Sequence, residues 1–258
     1  MEKITESKES QLEKEPHLNK IVADFLRHGE TNYLEEFHNT SEPVRDLTPE
    51  GEIQVKETAK KIIETIDPER EIIVLWSSPA WRAQGSEELI LELLEEKGIP
   101  VYKDSTIPQM VNFRKYDKEY FQGLWQIYGA TGKSFDAIYA KDPDFQELNE
   151  KFETIHEVKR RAEKVFYHIA NLAKVAKLDG KTLHIIGVSH FEFLNPIMEE
   201  IFGHDVEQGH GVKRGEDIHI EFTYDLDQNK LLVGAVFRGE RKDNIEFDMT
   251  EKKFIVRT

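Results

Sequence analysis

Three short apolar runs each end in side chains that could do chemistry. IVADFL (residues 21–26) is followed by Arg27-His28-Gly29-Glu30-Thr31. EIIVLW (71–76) is followed by Ser77-Ser78-Pro79-Ala80-Trp81-Arg82, and TLHIIGVS (182–189) by His190. Guanidinium forks grip phosphate oxygens two at a time. A neutral imidazole beside them is a competent nucleophile, because the arginines hold the phosphorus in line and disperse its charge. If the three runs lie side by side as strands, two guanidiniums (Arg27, Arg82) and two imidazoles (His28, His190) collect at one edge. Gly29 would let the backbone approach closely there.

The intervening sequence supplies the elements that such a site needs. Thr48 with Pro49 behind it makes an N-cap and first turn, and Val55, Ala59, Ile62 and Ile66 then mark one face of a helix that Pro68 ends. A second helix is expected over 81–97 with Gly98 as its stop, and IPVYK (99–103) reads as a short strand. Val158, Ala162, Val165, Ile169, Leu172 and Ala176 mark a long amphipathic helix, and 193–202 reads as helical with Gly203 as the stop. DIHIEFTYDL, KLLVGAVF and KKFIVRT read as strands, with a turn at Asp227-Gln228-Asn229. Alternating strands and helices imply a three-layer α/β/α sandwich with a largely parallel central sheet. Such sheets bind ligands beyond the C-terminal ends of their strands. Residues 1–19 read as a mobile charged tail and 20–258 as one domain, with an aromatic and charged insertion at about 105–155.

Composition narrows the function. The 258 residues carry 35 Lys and Arg against 50 Asp and Glu, a net charge of −15. So large an acidic excess argues against a generic nucleic-acid partner, and phosphate would need a locally positive pocket. The absence of cysteine excludes disulfides, thiolate metal sites and a cysteine nucleophile. No apolar stretch has signal-peptide or membrane-spanning length, so a cytoplasmic protein with no membrane partner is expected.

Taken together, LRHGET, DLTPEG (46–51), SSPAWRA and the strand ending in GVSH resemble the histidine phosphatase superfamily, which includes cofactor-dependent phosphoglycerate mutases. The resemblance runs from about residue 20 to 224. It implies that His28 is the phosphorylated nucleophile, that Arg27, Arg82 and His190 form the phosphate pocket, and that neither metal nor cofactor is needed. The substrate would be a small phosphorylated molecule. The common branch of the family carries its general acid in a segment like LRExxxGxxEG. Here Phe113-Arg114-Lys115 with Phe121-Gln122-Gly123 places Lys115 at that position, and an alignment on Ile107-Pro108-Gln109 places Gln109 there. Glu192, in His190-Phe191-Glu192, resembles the other branch, whose acid closely follows the second histidine; Asp117 is the weaker replacement. Either carboxyl would need a raised pKa to donate a proton near neutrality.

The reading is therefore a phosphatase acting through a phosphohistidine. Phosphoglycerate mutase-type transfer, and a non-catalytic phosphate-binding protein lacking the acid, are the alternatives. Thr31 and Asn32 read as structural, the aromatics of 113–128 as a small core, and His204 and His210 near Asp205 and Glu207 as without diagnostic metal spacing. Lys213 and Arg214 could reach a substrate's second anion. The sequence does not specify the substrate.

Overall fold

The apolar runs become strands and the periodic stretches become helices. In a computed structural model, which describes residues 18–31, 47–115, 117, 119, 123, 126, 152–204 and 210–257, the chain runs β1 (Leu18–Arg27), α1 (Pro49–Thr65), β2 (Glu71–Ser77), α2 (Trp81–Glu96), β3 (Val101–Thr106), a 3-10 turn (Pro108–Met110), α3 (Ile155–Val175), β4 (Thr182–Ser189), α4 (Phe191–Phe202), β5 (Asp217–Asp225), β6 (Lys230–Phe237), β7 (Glu240–Asp248) and β8 (Lys253–Val256). The helix ends follow local chemistry. The Thr48 side chain accepts from Gly51 N–H at 3.0 Å with Pro49 in the first turn. Thr154 and Glu157 form a reciprocal capping box on α3, and Gly203 ends α4 at φ 69°.

One sheet holds all eight strands, in the order β3-β2-β4-β1-β5-β6-β7-β8. Across β3-β2-β4-β1, which carry the candidate residues, it is parallel; from β1 onward each neighbour is antiparallel. Helices cover both faces, giving the expected three layers. Val55, Ala59, Ile62, Leu89 and Leu94 of α1 and α2 pack on Leu26, Leu75, Ile186 and Val188. Phe166, Ile169, Phe193 and Ile197 of α3 and α4 pack on Phe25, Ile185, Phe222 and Phe237. Among the described residues no helix is long and apolar enough to cross a membrane.

Some elements differ from expectation: β3 runs Val101–Thr106 instead of 99–103, α4 starts at Phe191 instead of 193, and two further differences have a clear physical cause. β1 begins at Leu18, because Leu18 and Asn19 pair with Asp225 and Tyr224 of β5 and the Asn19 amide donates to Ala176 O at 2.8 Å. A partner strand satisfies backbone groups that a tail would leave to water. The rest of the expected tail, 1–17, lies outside the described residues. β7 has no clear signal in ERKDNIEFD, since only Ile245 and Phe247 are buried and the other face is charged. It forms because Arg238 and Gly239, both at positive φ, make the two-residue turn that folds it back on β6.

A polar ladder crosses the sheet on the α1 side. Glu71 of β2, His184 of β4, Asp24 of β1, and His219 and Glu221 of β5 stand in a row. His184 Nδ1 lies 2.7 Å from Glu71 Oε2 and its Nε2 2.6 Å from Asp24 Oδ2. His219 Nδ1 lies 2.8 Å from Asp24 Oδ1 and its Nε2 3.6 Å from Glu221 Oε1. The row ties together the three strands whose ends carry the candidate residues, and β5 beside them.

Candidate active site

β4 lies between β2 and β1, with Arg27 opposite Ser189 and Ser77 opposite Val188. The pairing continues past the strands: His28 N–H donates to Ser189 O at 3.0 Å and Ser78 N–H to Val188 O at 2.9 Å. Three chain segments that are distant in sequence therefore end side by side, where α2 begins. Arg82 sits in the first turn of α2.

The contact between Arg82 and His28 defines the centre. Arg82 Nε donates to His28 Nε2 at 3.1 Å, while His28 Nδ1 is 2.7 Å from Gly29 O. A carbonyl oxygen can only accept, so Nδ1 carries the proton and Nε2 keeps its lone pair. Burial, followed by the charges of Arg82, Arg27 and Arg214, holds the His28 pKa well below the ordinary histidine value, against the bond to Gly29 O. The ring is neutral at neutral pH, with its nucleophilic nitrogen directed at a guanidinium.

His190 stands beside it, the two ring centres 5.1 Å apart. Its Nε2 lies 2.7 Å from Ser78 Oγ. Burial, then the surrounding cations, Arg82 first, likewise depress its pKa well below the ordinary value. Arg27 Nη1 donates to Val212 O at 2.8 Å, and its guanidinium lies over the Phe191 ring at 5.1 Å. The pocket is thus a nest of buried cations around two neutral imidazoles, within a strongly acidic chain.

Both ends of the insertion are anchored against this nest by Arg161 of α3. Its guanidinium makes two bonds to the Glu153 carboxylate, at 2.9 and 2.8 Å, and donates to the carbonyls of Gln109, Val111 and Asn112. Glu153 also accepts from Arg114 N–H at 2.7 Å, and Ser189 Oγ donates to Met110 O at 2.8 Å. Arg161, Glu153 and Ser78 were given no role in the sequence reading. An arginine beside Val158 and Ala162, on the apolar face of a helix, was the available signal.

The acid candidates fall in different places. Glu192 is buried in the first turn of α4, two residues after His190. The Lys115 ammonium is 3.5 Å from Glu157 of the α3 cap. Gln109 is exposed on the 3-10 turn, and Asp117 is partly exposed. Of the aromatic cluster, Phe113 packs on Phe152, with ring centres 4.5 Å apart; Tyr116, Tyr120, Phe121, Trp125 and Tyr128 lie outside the described residues, as do Asn32, Asp205 and Glu207. Gly51 approaches Gly29 closely: a Cβ on Gly29 would lie 2.3 Å from Gly51 O. Thr31 pairs with Leu47. His204 Nε2 meets Glu240 at 3.2 Å, but among the described residues no group of three or more His, Asp or Glu could hold a metal ion.

Comparison with solved structures shows the fold. A protein of Escherichia coli K-12, provisionally named an alpha-ribazole-5'-P phosphatase, aligns at 18% identity over 85% of this chain and 97% of its own, with a TM-score of 0.50. A phosphoglycerate mutase from Bacillus anthracis aligns at 16% identity over 91% of this chain and 96% of its own, also with a TM-score of 0.50. At such identities the likeness is one of fold. No curated protein matches. The family profile is more specific: that of the histidine phosphatase superfamily (branch 1) matches residues 24–232, from within β1 to the start of β6. With the match spanning both histidines and both arginines of the nest, the chain belongs to the histidine phosphatase superfamily.

Proposed function

We propose that the protein is a phosphatase that hydrolyses a small phosphomonoester through a phosphohistidine on His28. The observation that carries this reading is the His28 ring itself: neutral, fixed by Gly29 O at Nδ1, and offering Nε2 to Arg82 at 3.1 Å. A phosphate dianion entering the nest takes over the Arg82 donor and bonds to Arg27, Arg82 and His190. Nε2 then attacks phosphorus as the P–O bond to the alcohol breaks. The ring becomes cationic, and Gly29 O stabilises the Nδ1 proton. Glu192, in its neutral form, gives a proton to the leaving oxygen. Its carboxylate then takes a proton from water as the water oxygen attacks phosphorus and the P–N bond breaks. Inorganic phosphate leaves, and His28 and Glu192 return to their starting states. The arginines disperse charge on the transferred group in both steps, which is where phosphoryl transfer is most sensitive.

Glu192 is favoured as proton donor by its burial in the first turn of α4, two residues after His190. The family match is nevertheless to branch 1, whose members carry the acid in the insertion, so Asp117 is its competitor. The test uses an aryl phosphate, whose leaving group needs little protonation, and an alkyl phosphate, which needs much. His28→Ala should lower hydrolysis of both by about 10³-fold or more, and unchanged hydrolysis refutes the mechanism. Glu192→Gln should spare the aryl ester and slow the alkyl ester by about 10²-fold or more. The same pattern in Asp117→Asn instead would move the role to Asp117.

A further inference from the structure

The loop that precedes β5 carries a cation to the rim of the pocket. Residues 211–216 run along the end of β1: Arg27 N–H donates to Glu216 O at 2.9 Å and Gly215 N–H to Arg27 O at 3.0 Å. Gly215, at φ +73°, packs against Gln54, and its carbonyl accepts from Thr58 Oγ1 at 2.6 Å. From the outside, Arg238 donates to Gly211 O and grips the Glu216 carboxylate. Arg214 therefore leaves a backbone that is fixed on both sides. Lys213, its neighbour, is exposed.

Arg214 pairs with Glu30, two residues after His28. Glu30 is equally fixed, its N–H donating to Gln54 Oε1 at 3.1 Å and its carbonyl accepting from Thr48 N–H at 2.9 Å. The pair is open to water, with side-chain exposures of 29% for Arg214 and 39% for Glu30. Ion pairs this exposed contribute little stability, so a competing anion can break this one. Arg214 also stands close enough to His28 to add to the field that keeps its imidazole neutral.

We propose that Arg214 binds a second anionic group of the substrate, a carboxylate or a further phosphate, which displaces the Glu30 carboxylate from the guanidinium. The substrate class is then a phosphomonoester with a second anion a short distance from phosphorus. This rests on the phosphatase reading for the placement of the phosphate at His28. Once that phosphate is bound, the second anion meets Arg214 at a high effective concentration, and Arg214 offers it the guanidinium whose Nη1 Glu30 holds now. A monoester without that group leaves Glu30 in place and gains nothing from Arg214.

Calorimetric titration of the full chain tests this without turnover. The probes are methylphosphonate, with no second anion; phosphonoacetate and 3-phosphonopropionate, with a carboxylate at two distances; and methylenediphosphonate, with a second phosphonate. At least one doubly anionic probe should bind about tenfold tighter than methylphosphonate, and the winner names the anion. Arg214→Gln should bring that ratio toward one. Glu30→Gln, by removing the competitor, should raise it about threefold or more. A pair with a merely structural role would move the ratio the same way in both variants, or not at all. A ratio near one for every probe, a ratio that survives Arg214→Gln, or no rise in Glu30→Gln overturns the proposal. Because binding is read directly, failure here is distinguishable from failure of the hydrolytic reading, which the His28→Ala assay decides.

Discussion

Two pairs of histidines, three of them buried and His219 half-buried, lie in one sheet and are held in opposite states. His28 and His190, at the strand ends, are surrounded by arginines and stay neutral. His184 and His219, in the ladder, are flanked by carboxylates. Burial opposes their charge too, but bonds to Asp24, and to Glu71 or Glu221, outweigh it; the pKa of His184 is raised and that of His219 is pushed up to about 9. Desolvation works against the imidazolium at every one of these sites. The sign is decided by which charges the neighbouring strands bring within reach. A single sheet thereby holds the proposed nucleophile in neutral form and, below it, a set of ion pairs that ties neighbouring strands together.

Removing a charge from each region should separate these roles. In Arg82→Met the site loses its central donor, and kcat should fall by about 10²–10³-fold, the usual cost of deleting one transition-state donor. The His28 pKa should rise toward the ordinary value, so the acid limb of the kcat/KM profile moves to higher pH; a profile that stays in place would mean that Arg82 does not help to set the pKa. Asp24→Asn strikes the other region. It leaves the two ladder imidazoles without the carboxylate between them and should cost about 3–5 kcal/mol in a denaturant titration, the range for breaking a buried ion pair, while kcat of the folded enzyme stays within about threefold.

The smallest and most diagnostic effect is on stability against pH. The depressed pKa values of His28 and His190 mean that the unfolded chain, near 6.5, takes up protons the folded chain refuses, so stability falls as pH drops below about 6.5. His219 behaves the other way. Its contribution is complete below about 6.5 and drains away as pH rises to about 9. Unfolding midpoints measured from pH 5 to 9.5 should therefore fall on the alkaline side, where Glu87, its pKa pushed up to about 8, adds to the loss, while His28 and His190 act the other way below about 6.5. Asp24→Asn should flatten the alkaline limb and leave the acid limb, and equal change in both limbs would dissolve the contrast between the two histidine pairs.

Much of this was legible in the chain. Apolar runs and helical periodicity gave the parallel strands, the four long helices and the layer order, because each is a local consequence of which residues must be buried. Arg27, His28, Arg82 and His190 stood out because each closes an apolar strand or opens a helix after one. β7 did not stand out, since Ile245 and Phe247 are too few apolar side chains to make a pattern. The ladder did not stand out either: Asp24 in IVADFL and His184 in TLHIIGVS are lone polar residues in apolar runs, and nothing local connects them.

By itself, then, the sequence determined which elements form and which side chains their ends present, because backbone preference and burial are encoded within a dozen neighbouring residues. Tertiary structure alone decided what those side chains became. Only strand order sets His28 Nε2 against Arg82, gives Arg161 both ends of the insertion to anchor, and brings Arg214 to Glu30. Protonation state depends on charges a few ångströms away in space, and in this chain Arg82 lies 54 residues from His28, and His184 lies 160 residues from Asp24, along the backbone.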